Sequence, residues 1–287
     1  MLIAVTGATG NLGRLVVNAL LERGTAPGDV AAAVRDPAKA ADLAARGVRV
    51  READYDRPET LAAAFAGVDR LLLISGNAPT RLAQHRAVIA AAAAAGVRFL
   101  AYTSGLRADT TPLPVAGDHQ ATEEALRASG IPFALLRHGW YTENYTDQIG
   151  TALATGALLG SAGAGRIAAA TRADFAAADA AALWAGEPGV FELGGDGPFT
   201  LAEFAAEVTR QTGTPVAYRD LPAAEYRAAL VGAGVPEAFA ALRAAIDAAI
   251  AAGALDTDSG DLRRLLGRPT TPLAAAVAAA LTPGRAP

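Results

Sequence analysis

The chain has 287 residues, no cysteine, and a formal net charge of -4 from 25 basic and 29 acidic side chains. Disulfides, thiol nucleophiles, Cys-ligated zinc and iron–sulfur clusters are thereby excluded, so any redox chemistry needs a bound cofactor. No basic run offers a nucleic-acid footprint, and the longest apolar stretch, Ala87 to Val97, is interrupted by Gly96 and falls short of the roughly 20 residues that span a bilayer.

A cytoplasmic protein without nucleic-acid partners or membrane insertion is expected, and its apolar residues are expected to line a core. Leu2 to Thr6 is a continuous apolar run, the pattern of a parallel strand buried on both faces. Leu12, Leu15, Val16, Ala19 and Leu20 follow at helical spacing, and Gly24 closes that helix. Further strands are predicted at Val30 to Arg35, Val48 to Ala53, Arg70 to Ser75, Phe99 to Ser104 and Phe133 to Arg137, with helices between them. Asp36 before Pro37 reads as an N-cap followed by proline at the first helical position. Beyond residue 145 the regularity weakens: Gly150 to Gly165 holds five glycines and is expected to be a mobile loop serving as a lid. Thr171 with Asp174 and Thr200 with Glu203 have capping-box spacing, and Val190 to Leu193 is expected to add a strand to the main sheet.

This alternation predicts an α/β fold: a doubly wound, mostly parallel, Rossmann-like sheet with a smaller C-terminal α/β lobe. Residues 1–145, completed by 171–200, form the expected dinucleotide-binding domain. Residues 146–170 and 201–287 form the expected lobe that covers the substrate.

The turn Gly7-Ala8-Thr9-Gly10-Asn11-Leu12-Gly13 lies between the first predicted strand and the first predicted helix. There Gly7 can make the tight turn, Gly10 lets the backbone approach a pyrophosphate, and Gly13 lets helix and strand pack closely, while the helix N-terminus attracts phosphate charge. At the end of the second strand, where a carboxylate would accept from a ribose 2′-hydroxyl, stands Arg35. Its guanidinium matches a 2′-phosphate, so NADPH is the expected cofactor and NADH a weaker one. Lys39, the sole lysine, is either a second positive charge for that phosphate or an exposed helix residue. Asp54, ending the third strand, is placed to accept from the adenine amine, and Ser75, Gly76 and Asn77 after the fourth are small enough for cofactor approach.

The usual machinery of ketone reduction is missing. A tyrosine made acidic by a lysine four residues later is absent, since those positions hold Glu59, Leu106, Tyr145, Ile149, Pro222 and Leu230. The same gap speaks against an epimerase acting on nucleotide sugars. His85, His119 and His138 have no metal-ligand spacing, and no nucleophile-elbow motif supports hydrolysis. A quinone is an acceptor whose ring stabilises the developing oxyanion, so the protein mainly has to hold two planar rings face to face.

GATGNLG, AAAVRDPAKA, LLLISG, FLAYTSGL and above all LLRHGWYTENY resemble the NmrA-like branch of atypical short-chain dehydrogenases/reductases, specifically type 2 NAD(P)H:quinone oxidoreductases. IAAATRADFAAADAA and RPTTPLAAAV extend the resemblance over nearly the whole chain. It implies NADPH-dependent two-electron reduction of quinones without flavin, with cofactor contacts at Gly7 to Leu12, Arg35, Ser75 to Asn77, Gly139 to Asn144 and Arg172. Of these, Gly139, Trp140, Tyr141, Thr142, Glu143, Asn144 and Arg172 rest on the resemblance alone. Trp140 and Tyr141 are expected to wall a planar ring, and His138, where a similar enzyme tends to have asparagine, is a candidate proton donor alongside Tyr141. His119 is expected to cap a helix, and His85, on a helix predicted to be exposed, to be structural. The fold family also includes NADP(H)-binding redox sensors without turnover, the alternative reading, and the sequence leaves a homodimer open.

Overall fold

Seven short runs of the first two hundred residues, most of them apolar, become strands of one sheet. The structure, a computed structural model, describes residues 1–282. Its strands are β1 Ile3–Thr6, β2 Val30–Val34, β3 Arg49–Glu52, β4 Arg70–Leu73, β5 Phe99–Gly105, β6 Phe133–His138, β7 Trp140–Tyr141, β8 Ala157–Gly160, β9 Ala169–Ala170, β10 Gly189–Leu193 and β11 Ala217–Asp220. Seven of them form a sheet in the order β10-β6-β5-β4-β1-β2-β3, every pairing parallel. The order runs outward from β1 to β3 on one side and from β4 to β10 on the other. The crevice between β1 and β4 is therefore the point where ligands of doubly wound sheets bind.

The helices are α1 Asn11–Glu22, α2 Ala41–Ala45, α3 Glu59–Phe65, α4 Arg81–Ala94, α5 Ala116–Ala128, α6 Glu143–Thr146, α7 Ile149–Thr155, α8 Arg172–Ala185, α9 Leu201–Thr212, α10 Ala223–Gly232, α11 Glu237–Ala251, α12 Asp261–Leu266 and α13 Leu273–Leu281. Alternate residues of each strand feed opposite cores. Ile3, Val5, Val30, Ala32, Leu72 and Leu136 pack against Val16 and Leu20 of α1 and Phe175 and Leu183 of α8. Ala4, Ala31, Leu71, Leu73, Leu100 and Tyr102 pack against Phe65 of α3, Val88 and Ile89 of α4 and Leu126 of α5. A third core, with Tyr145, Ile149, Leu158, Phe199, Phe204, Val208 and Ile250, lies in the lobe formed by α7, β8, α9, β11, α11 and their neighbours. Helix α12 instead packs its Leu262 against the first face of the main sheet. Arg107, in the left-handed region at φ +48°, joins sheet to lobe: Nη2 donates to the carbonyls of Gly253, Ala254 and Asp256, each at 2.9 Å.

The segment 150–165, expected as a mobile lid, is largely α7 and β8, with β8 paired to β11. Its glycines serve geometry rather than flexibility. Gly156 ends α7 in the left-handed conformation at φ +69°, and a Cβ on Gly165 would lie 2.4 Å from the carbonyl oxygen of Ile250. Thr200 and Glu203 form a complete capping box, but Thr171 and Asp174 form half of one: Thr171 accepts from the Asp174 N–H, while the Asp174 carboxylate turns to Arg268 and the N–H of Thr271. After β2, Asp36 accepts from the N–H of Ala38 and so caps the short turn 37–40 that leads into α2.

Candidate functional site

The carboxyl ends of β1, β2, β3 and β4 open onto a cleft of about 520 Å³ lined by Gly7, Thr9, Gly10, Arg35, Lys39, Asp54, Gly76, Asn77 and Gln84 among others. Gly7 turns at φ +58°, and a Cβ on Gly13 would lie 2.3 Å from the Gly7 carbonyl oxygen, so the turn closes tightly only on glycine. Helix α1 starts at this turn with no side chain capping its first N–H groups, and a helix start of this kind beside a glycine turn suits a pyrophosphate. Ala8 and Leu12 face the other way, into the core beneath. Arg35 and Lys39 are exposed on the far wall, and among the described residues neither side chain has a hydrogen-bond or ion-pair partner. Lys39 thus belongs to the cleft. Asp36 points its carboxylate at the cap of the following turn, and Asp54 accepts from the N–H of Asp56 at 3.1 Å.

The turn after β4 is held by three acceptors that the sequence did not single out. Thr6 Oγ1 receives the N–H of Ile74 at 3.0 Å, Thr103 Oγ1 that of Ser75 at 2.8 Å, and His85 Nε2 that of Gly76 at 3.2 Å. A backbone N–H only donates, so Nε2 of His85 is the bare nitrogen and Nδ1 carries the proton toward Thr122, 3.0 Å away. The expected exposed His85 is in fact fully buried, because it shares a helical face with Val88, Ile89 and Ala92. Its position three and four residues before Val88 and Ile89 was the available signal. Burial pushes its pKa down to about 4, which keeps the acceptor nitrogen free. His119 also departs from expectation. It lies three residues inside α5, and its ring meets the Tyr102 hydroxyl at 2.8 Å rather than capping the helix.

At the opposite end, the block after β6 runs along the sheet's carboxyl edge. Gly139 donates to the Leu193 carbonyl at 2.7 Å, and β7 pairs with β9. Trp140 and Tyr141 do not form one wall: side chains alternate along a strand, so Trp140 packs toward the lobe core and Tyr141 toward the core between sheet and α8. Glu143 accepts from the Arg172 N–H at 2.8 Å and so caps α8, with burial raising its pKa; Thr142 is buried. The Arg172 guanidinium stands 5.2 Å from the centroid of the Tyr141 ring. His138 is buried with both ring nitrogens engaged, Nε2 to Asp179 at 2.8 Å and Nδ1 to the Tyr141 hydroxyl at 3.3 Å. Its ring reaches the edge only through Tyr141, whose phenol burial holds in the protonated form.

Between this block and the lobe lies a second cavity of about 450 Å³. Trp140 and Asn144 bound it on the sheet side, Leu158, Tyr226 and Phe239 on the lobe side, with Asp147, Arg243 and Asp247 as charged members. Burial raises the Asp247 carboxyl to about 6, although it accepts from the Ser161 N–H at 2.8 Å. The site thus has a glycine-lined, cation-walled cleft for a dinucleotide phosphate, and a mostly apolar, aromatic chamber beyond it.

Known proteins share this fold. An NAD(P)H-binding family model matches residues 7–183. Quinone oxidoreductase 2 of Escherichia coli (strain K12) is 49% identical over 280 residues, 96% of this chain and 97% of the relative. The crystal structure of an NADPH-dependent quinone oxidoreductase from Escherichia coli complexed with NADPH superposes with a TM-score of 0.95 at 48% identity, covering 98% of this chain and 100% of the other. Triphenylmethane reductase of Citrobacter sp., complexed with NADP(H), superposes with a TM-score of 0.91 at 39% identity over 97% of this chain and 100% of the other. With its glycine turn, parallel sheet and full-length relatives in agreement, the chain belongs to the NAD(P)H-binding family of NmrA-like short-chain reductases.

Proposed function

We propose that this protein reduces quinones to hydroquinones with NADPH as hydride donor and no flavin. The observation that carries this reading is the pair of unpartnered cations, Arg35 and Lys39, facing the glycine turn across one cleft. That turn fits the diphosphate, and the guanidinium and ammonium fit a 2′-phosphate. NADPH, when bound, supplies the hydride.

The chain's own residues bind, orient and shield. Gly7, Ala8, Thr9, Gly10, Asn11 and Leu12 provide the phosphate cradle, Arg35 the 2′-phosphate contact, and Asp54, Ser75, Gly76 and Asn77 the walls of the adenine end. Gly139 to Asn144 and Arg172 border the nicotinamide end. The quinone occupies the cavity bounded by Trp140 and Asn144, where the lobe excludes water. Tyr141, on the other face of β7, borders the nicotinamide end and His138 acts behind it. Residues 1–145 with 171–200 form the dinucleotide-binding part and 146–170 with 201–287 the covering part, of which 283–287 lie outside the described residues. The protein works in the cytoplasm on a diffusible quinone; among the described residues no helix is long and apolar enough to cross a membrane.

The test mixes purified protein, NADPH and a simple benzoquinone and follows loss of reduced-nicotinamide absorbance. Turnover with NADPH well above that with NADH is the expected result. Tight NADPH binding without turnover across a range of quinones would instead make the protein an NADP(H) sensor.

A further inference from the structure

Asp179 lies fully buried in α8, and its Oδ2 has no hydrogen-bond partner among the described residues. Burying a carboxylate with half its acceptor capacity unused opposes folding. An aliphatic side chain of similar size would fill the same space without that cost. What the carboxylate adds is direction. Its Oδ1 accepts from His138 Nε2 at 2.8 Å, so Nε2 carries the proton, and in the neutral ring Nδ1 is left to accept the Tyr141 O–H. The imidazole lies flat on Phe175, at 4.5 Å between centroids and 21° between planes, while Tyr141 stands edge-on to Phe175 at 5.4 Å and 84°. The Arg172 guanidinium then rests over Tyr141. One carboxylate therefore sets a tautomer, the tautomer sets a phenol, and the phenol carries a cation at the edge of the site.

We propose that Asp179 is a positioning residue for hydride transfer: through His138 it fixes Tyr141 and Arg172 at the nicotinamide end of the cleft, against the interest of fold stability. The proposal rests on the quinone-reductase reading above. Asp179 touches neither cofactor nor substrate, and its effect runs wholly through the imidazole. Stability and activity should therefore respond in opposite directions when its charge is removed.

The experiment compares wild type with D179N, D179L, H138N and the double variant H138N/D179N. Melting temperature, NADPH affinity from nicotinamide fluorescence, and kcat and KM with a benzoquinone are measured. Asparagine keeps the shape but also offers a donor, so the imidazole is free to adopt the other tautomer. D179N and D179L are expected to melt at or above the wild-type temperature while kcat falls about tenfold or more, and D179N is expected to cost nothing further in the H138N background. Wild-type kcat in D179N, a melting temperature that falls in step with activity, or an undiminished D179N loss on the H138N background overturns the proposal. If the wild-type protein turns over no quinone, the functional reading fails on its own and NADPH affinity decides the role of Asp179. Several-fold weaker binding by D179N at an unchanged melting temperature upholds it, and unchanged binding overturns it.

Discussion

At the scale of one residue, the proposed preference for one nicotinamide cofactor rests on Arg35, which stands exposed in the cleft after β2. Its guanidinium is exposed and has no partner among the described residues, so a 2′-phosphate meets it without breaking an existing bond. Hydrogen bonds to charged groups contribute about 1.5–3 kcal/mol, which is about ten- to a hundredfold in affinity. Arg35→Ala is therefore expected to weaken NADPH by roughly that factor and to leave NADH within about twofold, as measured by titration of each cofactor. Equal losses for both would remove the basis of the preference. The place of Arg35 in the cleft was legible in the sequence because it follows from a position at a strand end. The partner of His138 was not, since Asp179 lies 41 residues away and only the packing of α8 against β6 brings the two together.

At the scale of the element, the turn between β1 and α1 is fixed by sterics as much as by charge. A methyl group on Gly13 would lie 2.3 Å from the Gly7 carbonyl oxygen and 2.8 Å from the Ala8 Cα, so either α1 or the turn has to move. Gly13→Ala is expected to lower stability by about 1–3 kcal/mol, the range for overpacked contacts, and to weaken NADPH because the helix start no longer points at the diphosphate. Denaturant unfolding and cofactor titration check the two effects separately. The parallel strands were readable within a residue or two: the inner strands, buried on both faces, are largely apolar runs, whereas the edge strand Arg49–Glu52 is charged and part-exposed and was legible only from its place between helices. The glycine-rich stretch 150–165 misled for a physical reason: glycine marks both a flexible chain and a place where two backbones touch, and only the neighbouring backbone of Ile250 tells which.

At the scale of the whole molecule, two buried histidines tie stability to pH. Burial holds His85 and His119 at about 4, below the ordinary 6.5, with Arg81 adding to the effect and Asp118 opposing it. Between those values the unfolded chain binds protons that the folded chain refuses, so stability is fully present above about pH 6.5 and is lost as pH falls toward about 4. Asp247, raised to about 6 by burial, and Glu143, also raised by burial, act in the opposite sense, while Glu123, held down against the desolvation of its burial by Arg137 and Ser104, adds to the loss; the two histidines, each displaced from 6.5 to about 4, leave a net loss on acidification. The melting temperature is expected to fall through this window, with a shallower fall in H119Q; a flat profile in the wild-type protein would count against the burial of both rings.

The sequence by itself determined the sheet, the glycine turn, Arg35 and the absence of a Tyr/Lys acid pair, because each depends on residues adjacent in the chain or spaced by one strand or one helical turn. Only the tertiary structure decided that Trp140 and Tyr141 face different cores, that His85 braces the Gly76 turn, and that His138 is held by Asp179. The bond from His138 to Asp179 joins elements 41 residues apart that no local period links, while strand alternation at Trp140 and Tyr141 and helical spacing at His85 take their meaning only from the cores that the assembled sheet places on either side.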